Sequence, residues 1–305
     1  RGVSRTHLGF SASQLYTLSN FTGNLSFLML HFSTRKNNYY FLPAIHLSYQ
    51  CKIKKHTNQS IKQNFYTAAS ASVRNPTFTE LYYKSVDIQG NKDLLPEKAY
   101  TLEGGYNFQL IYINHSDPYF HFTANMFYRK GMDMIDFIKQ KNEEIWHCIN
   151  HTSISFIGIE SAIKLFPQCI NEKFFIESAT LSYTYIYSDK QEDETYISRY
   201  VLDHLENNLK IELIHSIYKE LKIGYNVSYN KRKGQYISYI NNTKGVYTSF
   251  PDYFLLDIRL SYQFRTLMLY VEASNILNQR YYDFGDLVQP GIWIKGGFTC
   301  KINDF

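Results

Sequence analysis

Three groupings of side chains in this sequence have the types that chemistry uses. His147, Cys148 and His151 stand beside Glu143 and Glu144, a donor set suited to a transition metal or a haem iron. Along an extended strand, however, His147 and His151 share one face and Cys148 takes the other, so the three do not converge. Polar residues at a loop rim are the simpler reading. Asp189, Glu192, Asp193 and Glu194 offer carboxylates to calcium but lack the ligand spacing of a dedicated loop, and read as a solvated turn. Lys210, Glu212, Asp257 and Arg259 fall on polar faces of alternating segments, where such residues line a path or fill a wall as cross-strand ion pairs. The sequence has no Gly-rich phosphate loop and no Gly-x-Ser-x-Gly elbow. Catalysis has no support, and neither a cofactor nor a metal is expected.

The elements that hold these residues carry a period of two. From Tyr253, one face takes Phe254, Leu256, Ile258, Leu260, Tyr262 and Phe264, and the other takes Asp257, Arg259, Ser261 and Gln263. The next segment sets Leu267, Leu269, Val271 and Ala273 against Met268, Tyr270, Glu272 and Ser274. A helix cannot segregate residues this way; a half-buried strand does. Composition agrees, since aromatics reach 17% of the 305 residues, with 28 Tyr and 22 Phe, and aromatic rings favour strands. Tyr262, Phe264 and Phe254 lie at strand ends on the apolar face, where a girdle of rings would sit at a membrane interface. No run approaches the roughly 18 apolar residues of a spanning helix, whereas a barrel strand needs only about 9–11. The net charge of +5 is scattered, without a basic block, which argues against nucleic acid. The four cysteines are far apart and read as unpaired.

Read throughout, the pattern gives about thirteen strands, near 2–17, 22–33, 39–53, 63–74, 99–109, 119–137, 148–166, 174–187, 200–217, 221–232, 253–264, 266–280 and 292–303. Short connections at 19–21, 115–118, 167–173, 218–220 and 265 alternate with long ones at 75–98, 139–146, 188–199, 233–252 and 281–291. Two connections break the rule: 54–62 is too long and 34–38 too short. Short turns on one side and long loops on the other mark an outer-membrane barrel. An odd strand number would leave a single-chain barrel open at its edges. That oddness, and the start at Arg1 without a signal peptide, point to a fragment. No linker divides the chain, so residues 1–305 are expected to form one domain.

Two stretches identify a relationship. Arg74, Pro76, Thr77, Glu80, Leu81 and Tyr82 form R-x-P-T-x-x-E-L-Y, and Gly90, Asn91, Asp93, Leu94, Pro96 and Glu97 form G-N-x-D-L-x-P-E. The strand opening at Tyr40 precedes them, and Thr101, Glu103, Gly105 and Tyr106 follow. Val271, Asn275, Leu277, Asn278, Tyr281 and Tyr282, then Pro290, Gly291 and Trp293, complete the order. Together these resemble the C-terminal barrel portion of TonB-dependent outer-membrane receptors, the cobalamin-receptor-like type of Bacteroidetes. Local physics gives them structural roles: Pro76 ends a strand, Gly90-Asn91 is a turn pair tolerant of positive φ, and Pro96 holds Leu95 extended. Ile292 stands where the family usually has Arg after the Pro-Gly pair, and Phe305 supplies the expected terminal aromatic, out of phase with the apolar face.

The resemblance implies an all-β fold, an antiparallel transmembrane barrel of which this chain holds about 13 of about 22 strands. It implies a cell outer membrane location and active uptake of a scarce ligand: cobalamin, an iron-siderophore or haem. The partners would be membrane lipid, that small-molecule or metal-chelate ligand, and TonB acting through a plug that these residues do not contain. A surface lipoprotein is a further candidate partner. Ligand contacts are expected in the loops at Tyr82, Tyr83, Asp87, Asn91, Tyr282, Asp286 and Gln289. The alternatives are a passive porin or adhesin barrel, a truncated remnant, or a soluble β-sandwich.

Overall fold

The computed structural model describes residues 4–33, 39–54, 59–112, 118–140, 143–150, 153–171, 173–189, 196–198, 204–237, 246–284 and 287–301. Thirteen wall strands run in sequence order. They are β1 (His7–Leu18), β2 (Phe21–Phe32), β3 (Tyr39–Lys54), β4 (Gln59–Arg74), β5 (Glu97–Tyr112), β6 (Pro118–Met132) and β7 (Ser153–Leu165). The remainder are β8 (Ile176–Ser188), β9 (His204–Ser216), β10 (Leu221–Lys233), β11 (Tyr253–Phe264), β12 (Leu267–Ser274) and β13 (Trp293–Cys300). Each is antiparallel to its sequence neighbours, forming one 13-stranded meander. Among the described residues β1 and β13 do not pair with each other, so the sheet is open. A strand of 12 residues such as β1 runs about 40 Å, which at a tilt near 45° matches a hydrocarbon layer about 30 Å thick.

The two faces differ as the alternation requires. Phe254, Leu260, Tyr262, Phe264, Leu269, Val271 and Phe298 are all exposed on one face. The protein exposes 20039 Å², against about 13,000 Å² for a compact globule of its 36.0 kDa. A soluble sandwich would hide those side chains; here the wall has no interior to hide them in, and only an apolar surrounding removes them from water. On the polar face the strands approach closely where glycine permits it. A Cβ on Gly105 would stand 2.3 Å from the Tyr66 ring of the adjacent strand, so the ring lies flat over bare backbone.

The strand boundaries differ from the sequence reading most in four places, and the segment 148–166 is one of them: its first residues belong to Trp146–Asn150, which pairs outside the wall, and β7 starts at Ser153. The segment 119–137 is not one strand: β6 stops at Met132 because Asp133 turns left-handed at φ 54°, and Ile135–Gln140 leaves the wall. The segment 266–280 likewise ends at Ser274, where Asn275 and Asn278 take φ of 49° and 50°. The long connection at 54–62 disappears, because β3 reaches Lys54 and β4 starts at Gln59. The connection 34–38 lies outside the described residues.

Among the described residues the smaller strands and a short α-helix fall on the long-connection end, and a 3-10 turn, Pro167–Cys169, at the short-turn end between β7 and β8. Helix α1 (Phe78–Tyr82) and strand Ile88–Gln89 lie between β4 and β5. Ile135–Gln140 and Trp146–Asn150 lie between β6 and β7, and Tyr196–Ser198 between β8 and β9. These four strands form a single sheet that ties three loops together. Two further hairpins, Gln235–Ile237 with Tyr247–Ser249 and Tyr282–Phe284 with Leu287–Val288, stand on the same end.

Candidate functional site

The loop after β4 is built by the very residues that make its sequence recognisable. Thr77 caps α1: its hydroxyl accepts from Glu80 N at 3.2 Å, and the Glu80 carboxylate accepts from Thr77 N at 2.6 Å. Arg74 reaches the same Glu80 with both terminal nitrogens, at 3.0 and 3.1 Å, and donates Nε to Glu97. Glu97, nearly buried, also accepts from Ile135 N at 2.7 Å, which fastens the next loop to this one. Gly90 has no positive φ, contrary to the turn expected of it. Glycine is needed there because a Cβ would lie 2.8 Å from Glu80 O and 3.0 Å from Tyr83 O. Asn91 folds its side chain back onto Asp93 N at 2.8 Å.

Beneath this bracket lies a hydrophobic cluster of buried residues. Leu81, Leu94, Ile135, Phe137 and Cys148 form it, with Ile88 and Trp146 packed against them. Burial pushes the Cys148 thiol up to about 12, with the carboxylates of Glu80 and Asp136 adding to the effect. Cys148 is therefore an inert core thiol, while His147 faces the other way, 3.7 Å from Glu143. His151 lies outside the described residues, and among those described no three His, Cys, Asp or Glu side chains converge on a metal site. The four cysteines are free thiols. Of the carboxylate run 189–194 only Asp189 is described; it accepts from Ser155 N at 2.7 Å.

The expected ligand residues divide sharply. Tyr82 and Tyr83 remain exposed on the outer side of α1, Tyr82 beneath the Lys92 ammonium at 5.9 Å. Asp87 is exposed, its carboxylate accepting from Ser85 Oγ at 2.7 Å. Asn91 is turned inward on its own loop. In the second loop, Tyr282 stacks on Tyr236 with centroids 5.0 Å apart, and Tyr281 on Tyr253 at 4.6 Å. Tyr253 donates to Asp283 at 2.8 Å, and Arg232 stands 3.6 Å from the same carboxylate. Gln289 contributes its backbone N–H to Tyr281 O at 2.9 Å. Asp286 lies outside the described residues. The first loop thus presents exposed rings and the second a packed aromatic cluster, with β6 to β11 between them in the sheet.

Sequence reading missed two structural hubs. One is the Arg74–Glu80–Glu97 bracket, whose visible signal was the capping box T-x-x-E at Thr77 and Glu80. The other is Asn275, nearly buried, which donates to Gln279 O at 2.9 Å and Pro290 O at 3.2 Å and accepts from Gln279 N at 2.9 Å. It folds the chain out of β12 and anchors the approach to β13. On the polar face of the wall, Arg259 and Lys295 meet Glu272 at 3.4 and 2.9 Å, and Lys210 meets Glu212 at 2.7 Å. Asp257 accepts from Asn226 and from Asn275 N. Arg259, Lys295 and Glu272 pair across strands and Lys210 with Glu212 along one strand, while Glu212, Asp257, Arg259 and Glu272 line a concavity of about 310 Å³.

The sequence matches the family described as TonB dependent receptor-like, beta-barrel, over residues 8–276. Among solved structures, the FrpB iron transporter of Neisseria meningitidis aligns at 14% identity and a TM-score of 0.62, over 96% of this chain and 45% of that one. The ferric enterobactin receptor PfeA of Pseudomonas aeruginosa, a mutant in complex with enterobactin, aligns at 13% identity, a TM-score of 0.61, and 96% and 45% coverage. The copper transporter OprC aligns at 12% identity, a TM-score of 0.65, and 96% and 47% coverage. These likenesses show the shared fold, and the chain spans about half the length of each. No curated protein matches. The chain belongs to the TonB-dependent receptor-like β-barrel family.

Proposed function

We propose that this chain is the barrel wall of a Gram-negative outer-membrane receptor that imports a scarce ligand at the expense of energy relayed by TonB through a plug. The observation that carries the reading is the match to the receptor family over residues 8–276, joined to loops braced at one end of the wall. Such bracing pre-organises a surface, which lowers the cost of ordering it on binding. The ligand is a cobalamin, a haem or a ferric siderophore. The iron, ferric-enterobactin and copper proteins named above are in keeping with a metal chelate. We assign first contact to Tyr82, Tyr83 and Asp87, because their side chains are exposed on a braced loop. Tyr282, Asp286 and Gln289 belong to the second contact loop.

The test is binding by the complete receptor in detergent, with Tyr82→Ala and Tyr83→Ala combined. Stacking on exposed rings contributes on the order of 1–2 kcal/mol, so affinity should fall about tenfold or more for its ligand from a panel of cobalamin, haem and ferric siderophores. Unchanged affinity after replacement of loops 75–98 and 281–291 would refute the assignment. The rival reading, a passive porin, needs no braced loops and predicts no saturable binding.

A further inference from the structure

The long-loop border of the apolar face carries two lysines that no described carboxylate neutralises. Alternation puts Lys98, Tyr100 and Leu102 of β5 on that face, with Lys130, Tyr128 and Met126 of β6 and Ser155, Ile157 and Ile159 of β7. The register sets Tyr100, Lys130 and Ser155 in one line across the three strands. Leu102, Tyr128 and Ile157 form the next line, and Gly104, Met126 and Ile159 the one below it. Leu102, Tyr128, Ile157, Met126 and Ile159 are all exposed, as the rest of that face is. The carboxylates of the same strands, Glu97, Glu103 and Glu160, alternate onto the polar face. Asp189, next to Ser155, is held by Ser155 N at 2.7 Å. Among the described residues Lys98 and Lys130 have no carboxylate within ion-pair distance. Further round the same border the lysines are engaged, Lys231 with Glu206 at 3.1 Å and Lys233 with Ser188 O at 3.4 Å.

We propose that Lys98, Tyr100, Lys130 and Ser155 form a site for the phosphate of a membrane lipid; the inference rests on the reading that this face of the wall stands in a membrane. Lys130 lies directly opposite Tyr100, so Lys98 is its diagonal neighbour, with Cβ atoms about 7–8 Å apart. Two flexible stems of four carbons bring both ammoniums onto one phosphate between them. Tyr128 donates its hydroxyl proton to Ser155 Oγ at 3.2 Å, which leaves the Ser155 proton for another acceptor. The Tyr100 hydroxyl has no hydrogen-bond partner among the described residues. Four donors therefore stand together with no acceptor supplied by the chain. The lines below them favour a lipid over a dissolved anion. Leu102, Ile157, Met126 and Ile159 continue directly from the phosphate line, and Gly104, where a Cβ would meet nothing nearer than Tyr66 O at 3.7 Å, leaves a furrow among them. A dissolved anion gains nothing from that surface. A lipid lays its acyl chains along it while its phosphate meets the lysines.

The experiment is a titration of the complete receptor in neutral detergent, read by native mass spectrometry. The probes are phosphatidic acid, diacylglycerol with the same acyl chains, and inorganic phosphate. Phosphatidic acid should bind more tightly than diacylglycerol, and inorganic phosphate should not displace it. A Lys98→Gln, Lys130→Gln variant that still assembles as a heat-modifiable barrel should bind phosphatidic acid about 25-fold more weakly, roughly fivefold for each lysine. Lys231→Gln, which removes an ammonium already paired with Glu206, should leave that affinity unchanged. Equal binding of diacylglycerol, displacement by inorganic phosphate, or unaltered affinity in the double variant would overturn the inference and leave the membrane reading standing. A receptor that stays dispersed once detergent is removed meets no membrane, and that reading falls together with the inference.

Discussion

Replacing Arg74 with Met tests whether the recognisable motif is a brace rather than a ligand contact. Arg74 holds Glu80 and Glu97, whose side chains are 15% and 11% exposed, while its own is 44% exposed. Removing one partner of a fully buried pair costs about 3–5 kcal/mol. Water reaches the Arg74 side, so a discount to about 2 kcal/mol is appropriate here. At about 1.4 kcal/mol per factor of ten, the loop should open roughly 30-fold more often. The cost falls on the loop body alone, because the wall is held by its own ladders. Amide hydrogen exchange in the complete receptor is the assay. Residues 77–95 and 135–150 should exchange about 30-fold faster, with β5 and β6 below the loop unchanged. Arg74→Lys, which keeps charge but loses the fork, should fall between. Unaltered loop exchange, or equal acceleration throughout the wall, would refute the reasoning.

Three further outcomes follow from the same geometry. Gly105→Ala forces the Tyr66 ring off the wall, an overpacking cost of about 1–3 kcal/mol in urea unfolding of the refolded receptor, and Tyr66→Ala should recover most of it. Asn275→Ala removes three hydrogen bonds and leaves Ala at φ 49°, together about 3 kcal/mol; unfolding near wild type would mean that water replaces the side chain. Cys148 should resist maleimide at pH 7 while Cys169, in the turn before β8, reacts. Because the folded thiol keeps its proton to about 12, against about 8.5–9 when unfolded, its contribution to stability is intact below pH 8.5 and declines as pH rises from there towards 12. Maleimide labelling of Cys148 at the Cys169 rate would contradict the buried cluster.

The wall was legible in the sequence because its signal is local. An alternation of two repeats within every strand, and thirteen segments read this way correspond in order to the thirteen strands of the sheet. The parity of short and long connections was equally local, and the small strands lie on the long-connection end it marks, whereas the 3-10 turn Pro167–Cys169 stands at the other. What escaped was set by distant pairing. The run from Met132 to Phe137 contains no proline or glycine to end a strand, and only the left-handed Asp133 shows that Ile135 has left the wall to join strands from residues 88, 146 and 196. The motif around Arg74 was recognised as a pattern, yet its job depends on Glu97 and Ile135, which no spacing rule brings together. Gly90 illustrates the difference: sequence suggests a turn, and packing against Glu80 O and Tyr83 O requires the missing side chain.

Uptake by cells carrying the complete receptor is the most direct test of the central claim. Labelled cobalamin, haem and ferric siderophores should each be offered with and without a protonophore. The account predicts that one of them accumulates above its external concentration, and that collapsing the proton gradient abolishes accumulation while leaving surface binding intact. Uptake that merely equilibrates, unaffected by the protonophore, would make this wall a passive pore.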